Sequence, residues 1–559
     1  MTIKKIIALV MTCIFCTAQA YKTPKITLVI VIDQLAYETF ERLSPSFRNG
    51  LKKLRKSGFN LTHAYHPHGN PTTATGHATI GTGAYAKDHG VVLNSWMQPD
   101  GSFIEFGYDD SPDAATYKED GVYQTGYSGQ HINTETLSDV LSISSTKDQS
   151  FTVYAIAQKP RAAIGMGGKK ALTLWLDKQT NNYTTSKAYA TSFPNWLNEF
   201  NKKHNGKDQP LVTWKTRYHE SDPAYQFPFA HNYTYASYPK TLLNRPIKPY
   251  RSLGTIDLSD AYEQEFLYAQ TPMANNITTD LCVTCIDQTP LTLNDNNHLV
   301  LWVSYSNFDA LGHIYGHNSI EIADMLYHLD KQIGNLIYHA RSKVGKENVL
   351  TVLTADHGCC PIPEIAQQQG QTLAQRVNIK TIKNSINALI KKEYNIDNII
   401  TSFKNTQLFL SPQALQTLDN AKRNEIMQTI KNSICALPSI KQCWTKDELA
   451  TTSFEKYEYE QLYKNQLFFQ RTGDFVIMPK PYIYLSKYET GTGHSTPYTY
   501  DTHVPLIFYY PGSIIKGKKS QKTSITRLAP TLASLLNVKR PAAAFDKIIK
   551  LPRYTQAIK

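Results

Sequence analysis

Five short, continuous runs of apolar and β-branched residues constrain the fold of this chain more than any other feature. They are Ile26–Ile32, Phe151–Ala157, Leu299–Tyr305, Asn348–Thr354 and Val504–Tyr510. Runs of this kind are typical of strands that are buried on both faces of a parallel sheet. The sequence therefore predicts an α/β fold with a mostly parallel central sheet flanked by helices.

The segments between the runs support this pattern. Residues from about Tyr37 to Lys56 are predicted to be helical. Between the third and fourth runs, Asn318 can cap a helix and Glu321 completes the capping pattern. Apolar residues then recur at helical spacing as far as Leu336. Strand, helix and strand in this order predict a right-handed crossover between parallel strands.

The first 20 residues have the parts of a secretory signal peptide. Lys4 and Lys5 form a basic start, Ile6–Phe15 is almost wholly apolar, and Ala18-Gln-Ala20 fits a cleavage site. An uncleaved anchor is the alternative, but the apolar stretch is short for a membrane span of roughly 20 residues. We expect cleavage after Ala20 and a periplasmic or secreted protein, with no membrane span in the mature chain.

The rest of the 559-residue chain is long enough for one large domain with insertions. We predict a catalytic domain over residues 21–559. Insertions at about 189–297 and 367–478 interrupt the strand pattern and are expected to cap the sheet. The chain has no internal repeat of fixed period. A monomer is expected.

Charge and cysteine content limit the partners. The formal net charge is +13, but lysine and arginine are spread along the chain and form no block of the nucleic-acid-binding type, so no nucleic-acid partner is predicted. In an exported protein the pairs Cys282/Cys285 and Cys435/Cys443 are plausible disulfides. Cys359 and Cys360 are neighbours, and either thiols or a vicinal disulfide could occur there.

Acidic and histidine side chains stand at the ends of the predicted strands. Each of these residues alone is more simply explained as a helix cap or a solvated side chain. Together they would meet at one edge of one sheet, where open α/β folds bind their ligands. Asp and His are zinc ligands, and six are enough for two ions. The set is Asp33, Asp309, His313, Asp356, His357 and His494.

A threonine-rich segment, Pro71–Ile80, is the second motif. A hydroxyl at a helix N-terminus lies where backbone N–H groups favour anions, and a bound metal would make it nucleophilic. The simpler alternative is a turn that caps a helix. The residues alone leave the choice among Thr72, Thr73 and Thr75 open.

Three further residues could bind phosphoryl oxygens. Asn94 can donate from its amide, Lys159 supplies a point charge, and Arg161 can bind two oxygens at once. Each of them alone is more simply explained as an ordinary surface residue with no role in binding. Lys159 and Arg161 directly follow the second predicted strand, which places them near the same edge.

These residues together resemble the alkaline phosphatase superfamily, and within it the bacterial PafA-type branch with a threonine nucleophile. The resemblance runs from Ile26 to the Ala529–Ala533 segment, and only the two insertions lack recognisable motifs. It implies two zinc ions, one held by Asp309, His313 and His494, and the other by Asp33, Asp356 and His357 with the Thr73 oxygen. Thr73 is the threonine four residues before the loop histidine His77. The loop reads Thr-Ala-Thr-Gly-His and lacks the proline that many relatives carry there.

The resemblance implies hydrolysis of small phosphate monoesters through a phosphothreonine intermediate, with Asn94, Lys159 and Arg161 on the phosphoryl oxygens. Phosphodiesterases of the nucleotide pyrophosphatase branch are the main alternative. They share the zinc ligands but lack the Lys-x-Arg pair, because a diester has one fewer free oxygen. An inactive zinc- or phosphate-binding protein is a remote alternative. Sulfatases are disfavoured, since no Cys-x-Pro-x-Arg or Ser-x-Pro-x-Arg segment occurs.

Overall fold

The fold was analysed in a computed structural model of the chain. It describes residues 22–553 except 119–120, 122–124, 148, 178, 205–210, 220, 226–254, 258–270, 294 and 454–457. The predicted signal peptide therefore lies outside the described residues, and its cleavage stays a prediction.

A nine-stranded sheet forms the centre of the molecule. The strands are β1 Ile26–Ile32, β2 Phe59–Leu61, β3 Ser150–Ala157, β4 Leu172–Asp177, β5 Asn182–Thr184, β6 Asn297–Tyr305, β7 Val349–Thr354, β8 Ile507–Tyr509 and β9 Gly517–Lys519. Their order across the sheet is β5-β4-β3-β6-β1-β7-β8-β2-β9. The neighbours β4, β3, β6, β1 and β7 are parallel, whereas β5 and β8 run antiparallel to the strands beside them. The mostly parallel α/β fold is thus confirmed.

Four of the five predicted strands are confirmed within two residues at each end. The fifth differs, because the predicted run is split into His503–Val504 and β8. Pro505 stands between the two pieces, and proline has no N–H for a ladder hydrogen bond. The first piece pairs with Ala64–Tyr65 outside the central sheet, and β8 enters that sheet antiparallel to β7.

Helices cover the sheet, and every residue of β1 and β7 is buried. The helices are α1 Tyr37–Leu43, α2 Gly50–Ser57, α3 Thr73–Thr82, α4 Leu137–Ile143, α5 Pro160–Gly167, α6 Pro272–Gln288, α7 Asn307–Tyr315, α8 Ile320–Val344 and α9 Leu528–Leu535. Helices α2, α6 and α8 pack together in one group, and α3, α4 and α5 in another.

Two helix predictions were wrong in detail. The helix expected over Tyr37 to Lys56 is two helices, α1 and α2, separated by a 3₁₀ turn at Ser44–Ser46 that contains Pro45. The cap of α8 is Ser319, whose side chain accepts from the backbone N–H of Ile322, and Asn318 lies outside the helix.

The second predicted insertion contains a smaller antiparallel sheet of four strands with its own apolar core. In sheet order the strands are Ile400–Lys404, Gln407–Leu410, Phe475–Pro479 and Ile440–Thr445. We call this unit the cap. Two longer helices, Ile379–Tyr394 and Asn420–Cys435, pack on it, and shorter ones lie at Pro363–Gln368, Pro412–Gln416, Lys446–Thr451 and Glu458–Lys464.

The first predicted insertion holds α6, a helix at Asn195–Lys203 and a two-stranded pair, Leu211–Thr213 with Thr255–Asp257. The remaining elements are short. Two are helices, at Ala86–His89 and Thr499–Thr502. The others are the strands Ser95–Met97, Phe103–Glu105, Tyr108–Asp109, Gly126–Tyr127 and Thr523–Ser524, and the pair Gln375–Asn378 with Ile483–Ser486. The exact limits of both insertions stay predictions.

The six described cysteines are free thiols, so the disulfide predictions were wrong for this state. Cys282 and Cys285 both lie on α6, where they pack in the core. Cys435 is exposed, and interaction with the nearby Cys443 thiol lowers the pKa of its own thiol to about 6. Cys359 and Cys360 are buried thiols. Among the described helices, none is long and apolar enough to span a membrane.

Candidate metal centre and substrate cavity

Three aspartates meet at one edge of the sheet because of the strand order. β1 lies between β6 and β7, with Ile32 opposite Tyr305 and Val31 opposite Thr354. Asp33 follows β1, Asp356 comes two residues after β7, and Asp309 lies in the first turn of α7 just after β6. All three carboxyl groups are therefore delivered to the same place by parallel neighbours.

The ligand atoms form two adjoining groups, each within 4.8 Å, that share His357. One consists of Asp33, Asp356 and His357, with the Nε2 atom of His357 at 3.2 Å from Asp356 Oδ2. The other consists of Asp309, His357 and His494. His313 lies beside this second group, with its Nε2 atom 3.2 Å from Asp309 Oδ1. All six predicted ligands are thus brought together.

The first group has the properties of a cation site. Asp33 Oδ1, Asp356 Oδ2 and His357 Nε2 are fully buried and have no hydrogen-bond partner. Leaving three such atoms unpaired in the protein interior is costly, and a bound cation would satisfy all of them. The donor set of carboxylate oxygens and imidazole nitrogens fits zinc.

The three histidines are oriented by backbone carbonyls. The Nδ1 atoms of His313, His357 and His494 lie 2.8, 3.0 and 2.8 Å from the carbonyl oxygens of Thr492, Gly358 and Pro71. Since a carbonyl only accepts, each Nδ1 carries a proton, and in a neutral ring the lone pair is then on Nε2, the atom that faces the carboxylates. Histidine ligands of metals usually have such a partner.

Burial sets the charge state of several of these groups. Burial raises the pKa of the Asp33 carboxyl well above its usual value, and the charge of Asp356 adds to the effect. Burial also lowers the pKa of His357 and moves that of His494 well below its usual value. These two imidazoles are therefore neutral, which is the form that binds metals.

Thr73 is the first residue of α3, and its side chain is 1% exposed. The hydroxyls of its neighbours Thr72 and Thr75 lie 3.0 Å apart and bond to each other. Within the described part of the chain, the Thr73 hydroxyl has no hydrogen-bond partner. Of the three threonines in the loop, Thr73 therefore has the hydroxyl that is not used for structure.

Glycines place α3 directly against the metal centre. A Cβ atom on Gly76 would lie 2.2 Å from the carbonyl oxygen of Asp356, so only glycine fits there. On the next turn, a Cβ atom on Gly81 would lie 2.3 Å from the carbonyl oxygen of Gly165 in α5. These close approaches fix α3, and Thr73 with it, relative to Asp356 and to the C-terminal half of α5.

Asn94 lies beside the start of α3. Its Oδ1 atom accepts a 2.9 Å hydrogen bond from the backbone N–H of Ala74. The carbonyl side of the amide is thereby used, and the Nδ2 atom is left as a donor. Asn94 also lines the cavity described below.

Lys159 stands between the two groups of ligands. Its Nζ atom lies 2.8 Å from Asp33 Oδ2 and also contacts Asp309 Oδ2. Burial lowers the pKa of the Lys159 ammonium, but the charges of Asp309 and Asp33 outweigh burial and raise it. Lys159 therefore stays charged.

Arg161, in the first turn of α5, faces a cavity of about 570 Å³. Its Nε atom is buried without a partner, and it forms no ion pair with any described residue. The same cavity is lined by Asn94 and Lys159, and by the aromatic rings of Tyr127 and Trp175. The three predicted phosphoryl-binding residues thus converge on one cavity large enough for a small organic molecule.

Two residues that were not predicted as site residues also belong to the centre. His77 Nδ1 lies 2.8 Å from the carbonyl oxygen of Thr73 and 3.2 Å from Asp356 Oδ2. Gln34 hydrogen-bonds both Asp356 and Asp309. Only the position of Gln34, directly after Asp33 at a strand end, could have drawn attention to it. His503 lies outside the centre, with its ring stacked on those of Tyr37 and Tyr65.

Comparison with known proteins gives a consistent result. The sequence profile of the family "Type I phosphodiesterase / nucleotide pyrophosphatase" matches residues 27–505. Alkaline phosphatase PafA of Elizabethkingia meningoseptica is 28% identical over 95% of this chain and 94% of its own. A protein of Myroides odoratus named calcium-transporting ATPase is also 28% identical, over 97% of both chains.

Solved structures of alkaline phosphatase PafA share the fold. The wild-type enzyme superposes with a TM-score of 0.83 over 95% of this chain and 99% of its own, at 24% identity. A variant with a threonine, an asparagine, a lysine and an arginine substituted gives the same TM-score and coverage at 25% identity.

Proposed function

The chain belongs to the type I phosphodiesterase/nucleotide pyrophosphatase family, and from that premise we propose that it is an alkaline phosphatase that hydrolyses small phosphate monoesters. The observation that carries the proposal is the convergence of Asn94, Lys159 and Arg161 on one cavity. Lys159 also contacts Asp33 and Asp309, and Asn94 accepts from the backbone N–H of Ala74, the residue after Thr73. The substituted residues of the PafA variant support it: its threonine and asparagine have the same separation in sequence as Thr73 and Asn94, and its lysine and arginine the same as Lys159 and Arg161.

In this proposal Asp309, His313 and His494 hold one zinc ion, and Asp33, Asp356 and His357 hold the other. When bound, the two ions act as Lewis acids that lower the pKa of a hydroxyl and stabilise negative charge on the leaving oxygen. The unpaired buried atoms of Asp33, Asp356 and His357 support this assignment.

Thr73 is the proposed nucleophile. Its Oγ atom forms a bond to phosphorus while the bond from phosphorus to the ester oxygen breaks and the alcohol leaves. Water then cleaves the phosphothreonine, which releases inorganic phosphate and restores the hydroxyl. Its free hydroxyl at the N-terminus of α3, where backbone N–H groups favour an anion, supports Thr73 over Thr72 and Thr75.

The charges on the cavity wall favour a monoester. A monoester dianion has three free phosphoryl oxygens, one more than a diester, and charge builds up on them during transfer. Asn94 Nδ2, Lys159 Nζ and the unpaired Arg161 guanidinium are three donors for those oxygens. Such donors stabilise the transition state most when they are fixed in advance. A diester, with only two free phosphoryl oxygens, offers one acceptor fewer to these three donors.

A phosphodiesterase is the second candidate, because the matching family profile is that of phosphodiesterases. The two functions differ in the expected ratio of rates with p-nitrophenyl phosphate and bis-p-nitrophenyl phosphate on zinc-loaded protein. We expect the monoester to be preferred, and this preference to collapse in Lys159→Ala and Arg161→Ala. Lys170→Ala, an exposed lysine three residues beyond α5, is the charge-matched control and should leave the ratio unchanged.

Equal or faster hydrolysis of the diester would overturn the monoester assignment. No hydrolysis of either ester by protein that holds two zinc ions would favour an inactive binding protein. ATP belongs in the same panel of substrates, because one relative carries the name of an ATPase. The cleavable signal peptide and a periplasmic or secreted location are also part of the proposal, and the N-terminal residue of the purified protein tests them.

A further inference from the structure

Gln34 touches one ligand from each of the two proposed zinc sites. Its backbone N–H donates to Asp356 Oδ1 at 2.9 Å. Its side-chain Nε2 atom donates to Asp309 Oδ1 at 2.6 Å. Gln34 is fully buried, and Asp356 and Asp309 are each assigned to a different ion. One residue therefore connects the two sites directly.

The orientation of the Gln34 amide follows from the atoms that it contacts. Its amide nitrogen lies 2.6 Å from Asp309 Oδ1, and the other oxygen of that carboxylate is paired with the Lys159 ammonium. An ionised carboxylate only accepts hydrogen bonds. The amide nitrogen of Gln34 must therefore face Asp309, and the amide oxygen must point away.

His317 and Thr39 hold the other end of this amide. The Oε1 atom of Gln34 lies 3.0 Å from His317 Nε2, and His317 Nδ1 lies 2.9 Å from Thr39 Oγ1. Burial lowers the pKa of His317 to about 3, so the ring is neutral and carries one proton. That proton must be on Nε2 to reach the amide oxygen, and Nδ1 accepts from the Thr39 hydroxyl. Every donor in the chain from Thr39 to Asp309 has an acceptor.

The backbone has adapted to this arrangement. Gln34 has φ of 72°, in the left-handed region that residues other than glycine and asparagine rarely adopt. Strained conformations of this kind persist where the surroundings determine them, commonly at functional sites. A Cβ atom on Gly312, between Asp309 and His313, would lie 1.9 Å from the Gln34 amide oxygen. Glycine at 312 therefore makes room for the amide.

We propose that Gln34 is a positioning residue that fixes Asp309 and Asp356 relative to each other, with His317 and Thr39 fixing its amide. The inference rests on the two zinc sites of the proposed function, but not on the substrate. A carboxylate ligand held by a neutral donor keeps its charge and loses its freedom to rotate. Partners of this kind are worth 10- to 100-fold in metal affinity.

Gln34→Gly is the sharpest test, because glycine accepts the positive φ and keeps the backbone N–H to Asp356. We expect the zinc affinity of the Asp309 site to fall by roughly 10- to 100-fold. Competition with a chromogenic chelator measures the affinity, and anomalous diffraction at the zinc edge assigns the lost ion to its site. Thr39→Val keeps the shape of the side chain and removes only its hydroxyl, and a smaller loss at the same site is expected.

Asn395→Gly is the matched control, since Asn395 also has a positive φ (58°) but lies in the cap. It should leave both zinc affinities unchanged. Wild-type affinity at both sites in Gln34→Gly and in Thr39→Val would overturn the inference and leave the proposed function intact. Failure of the wild-type protein to bind two zinc ions would overturn both. Should Gln34→Gly not fold, Thr39→Val alone decides between the outcomes.

Discussion

The Nδ1 atom of His494 donates a 2.8 Å hydrogen bond to the carbonyl oxygen of Pro71, two residues before Thr73. A proposed metal ligand from the C-terminal part of the chain is thereby tied to the loop that carries the proposed nucleophile. The cap reinforces this link, because Asn405 Nδ2 lies 2.6 Å from the hydroxyl of Ser495. Ligand, nucleophile and cap therefore form one connected unit.

Asn405→Gly tests the role of the cap in this unit. Glycine accepts the φ of 54° at this position, so the variant loses only the hydrogen bond to Ser495. We expect kcat/KM for a phosphate monoester to fall several-fold, because His494 is held less firmly, while the melting temperature changes little. Asn398→Gly, at an exposed cap residue with φ of 49°, is the control. Equal kcat/KM in the two variants would contradict a role for this contact.

Thr73→Ala should lower kcat by roughly three orders of magnitude or more, since the attacking oxygen is lost. Thr73→Ser keeps a hydroxyl and should retain measurable activity. Acid-quenched wild-type protein should carry phosphate on the peptide that contains Thr73, and mass spectrometry of that peptide locates it. Phosphate found on Thr72 or Thr75 would assign the nucleophile to a different residue of the loop.

Removal of zinc should destabilise the protein as well as inactivate it. The buried atoms of Asp33, Asp356 and His357 lose the cation that satisfies them. At a free zinc concentration of 100 to 1,000 times Kd, binding to one site adds about 3 to 4 kcal/mol. Thermal unfolding with a chelator, and after zinc is returned, measures the difference. An unchanged melting temperature would show that the buried atoms do not need the ion.

Gly76→Ala should be one of the most damaging single-methyl changes in the chain. The added Cβ atom would lie 2.2 Å from the carbonyl oxygen of Asp356, so α3 must move away from the centre. Overpacking of this kind costs about 1 to 3 kcal/mol, and the shift of Thr73 should also reduce kcat. Gly517→Ala, whose nearest atom would be 3.5 Å away, is the matched control. Urea unfolding and kcat of both variants decide the matter.

Glu321 should make the stability of the fold depend on pH. Burial raises the pKa of its carboxyl from 4.5 to about 7. Glu321 loses its proton near pH 4.5 in the unfolded chain and near pH 7 in the folded chain. Its contribution to the free energy of unfolding is therefore fully present below pH 4.5. It declines as the pH rises and is lost above about 7. Glu321→Gln should flatten the dependence of the free energy of unfolding on pH in this range, and an unchanged slope would contradict it.

The positions of the aspartates could be predicted from the sequence, because each one follows a recognisable buried strand. Parallel strands end at the same edge, so local pattern was enough to bring Asp33, Asp309 and Asp356 together. The split of the last run at Pro505 and its antiparallel pairing could not be predicted, because its direction depends on which strands it joins. Pro45, which stands in the 3₁₀ turn directly after α1, is the physical reason why the predicted single helix ends early.

The role of Gln34 was beyond sequence reasoning for a different reason. The sign of its φ and the direction of its amide are fixed by Asp309, Asp356 and His317, which are far from it in sequence. For the same reason, the sequence alone could not single out one of the three threonines as the nucleophile. Only the contact between the Thr72 and Thr75 hydroxyls, visible in three dimensions, separates them from Thr73.

The central position of β1 has a consequence for the order of folding. During synthesis Asp33 emerges early, whereas Asp309 and Asp356 follow strands β6 and β7, and His494 emerges later still. Contacts between such distant segments form late, because closing long loops costs entropy before any pairing compensates for it. Binding of the proposed zinc ions is therefore expected late in folding. A chain that stops before His494 lacks one of the proposed ligands however well its sheet has formed, so binding of both ions would report that the chain is complete.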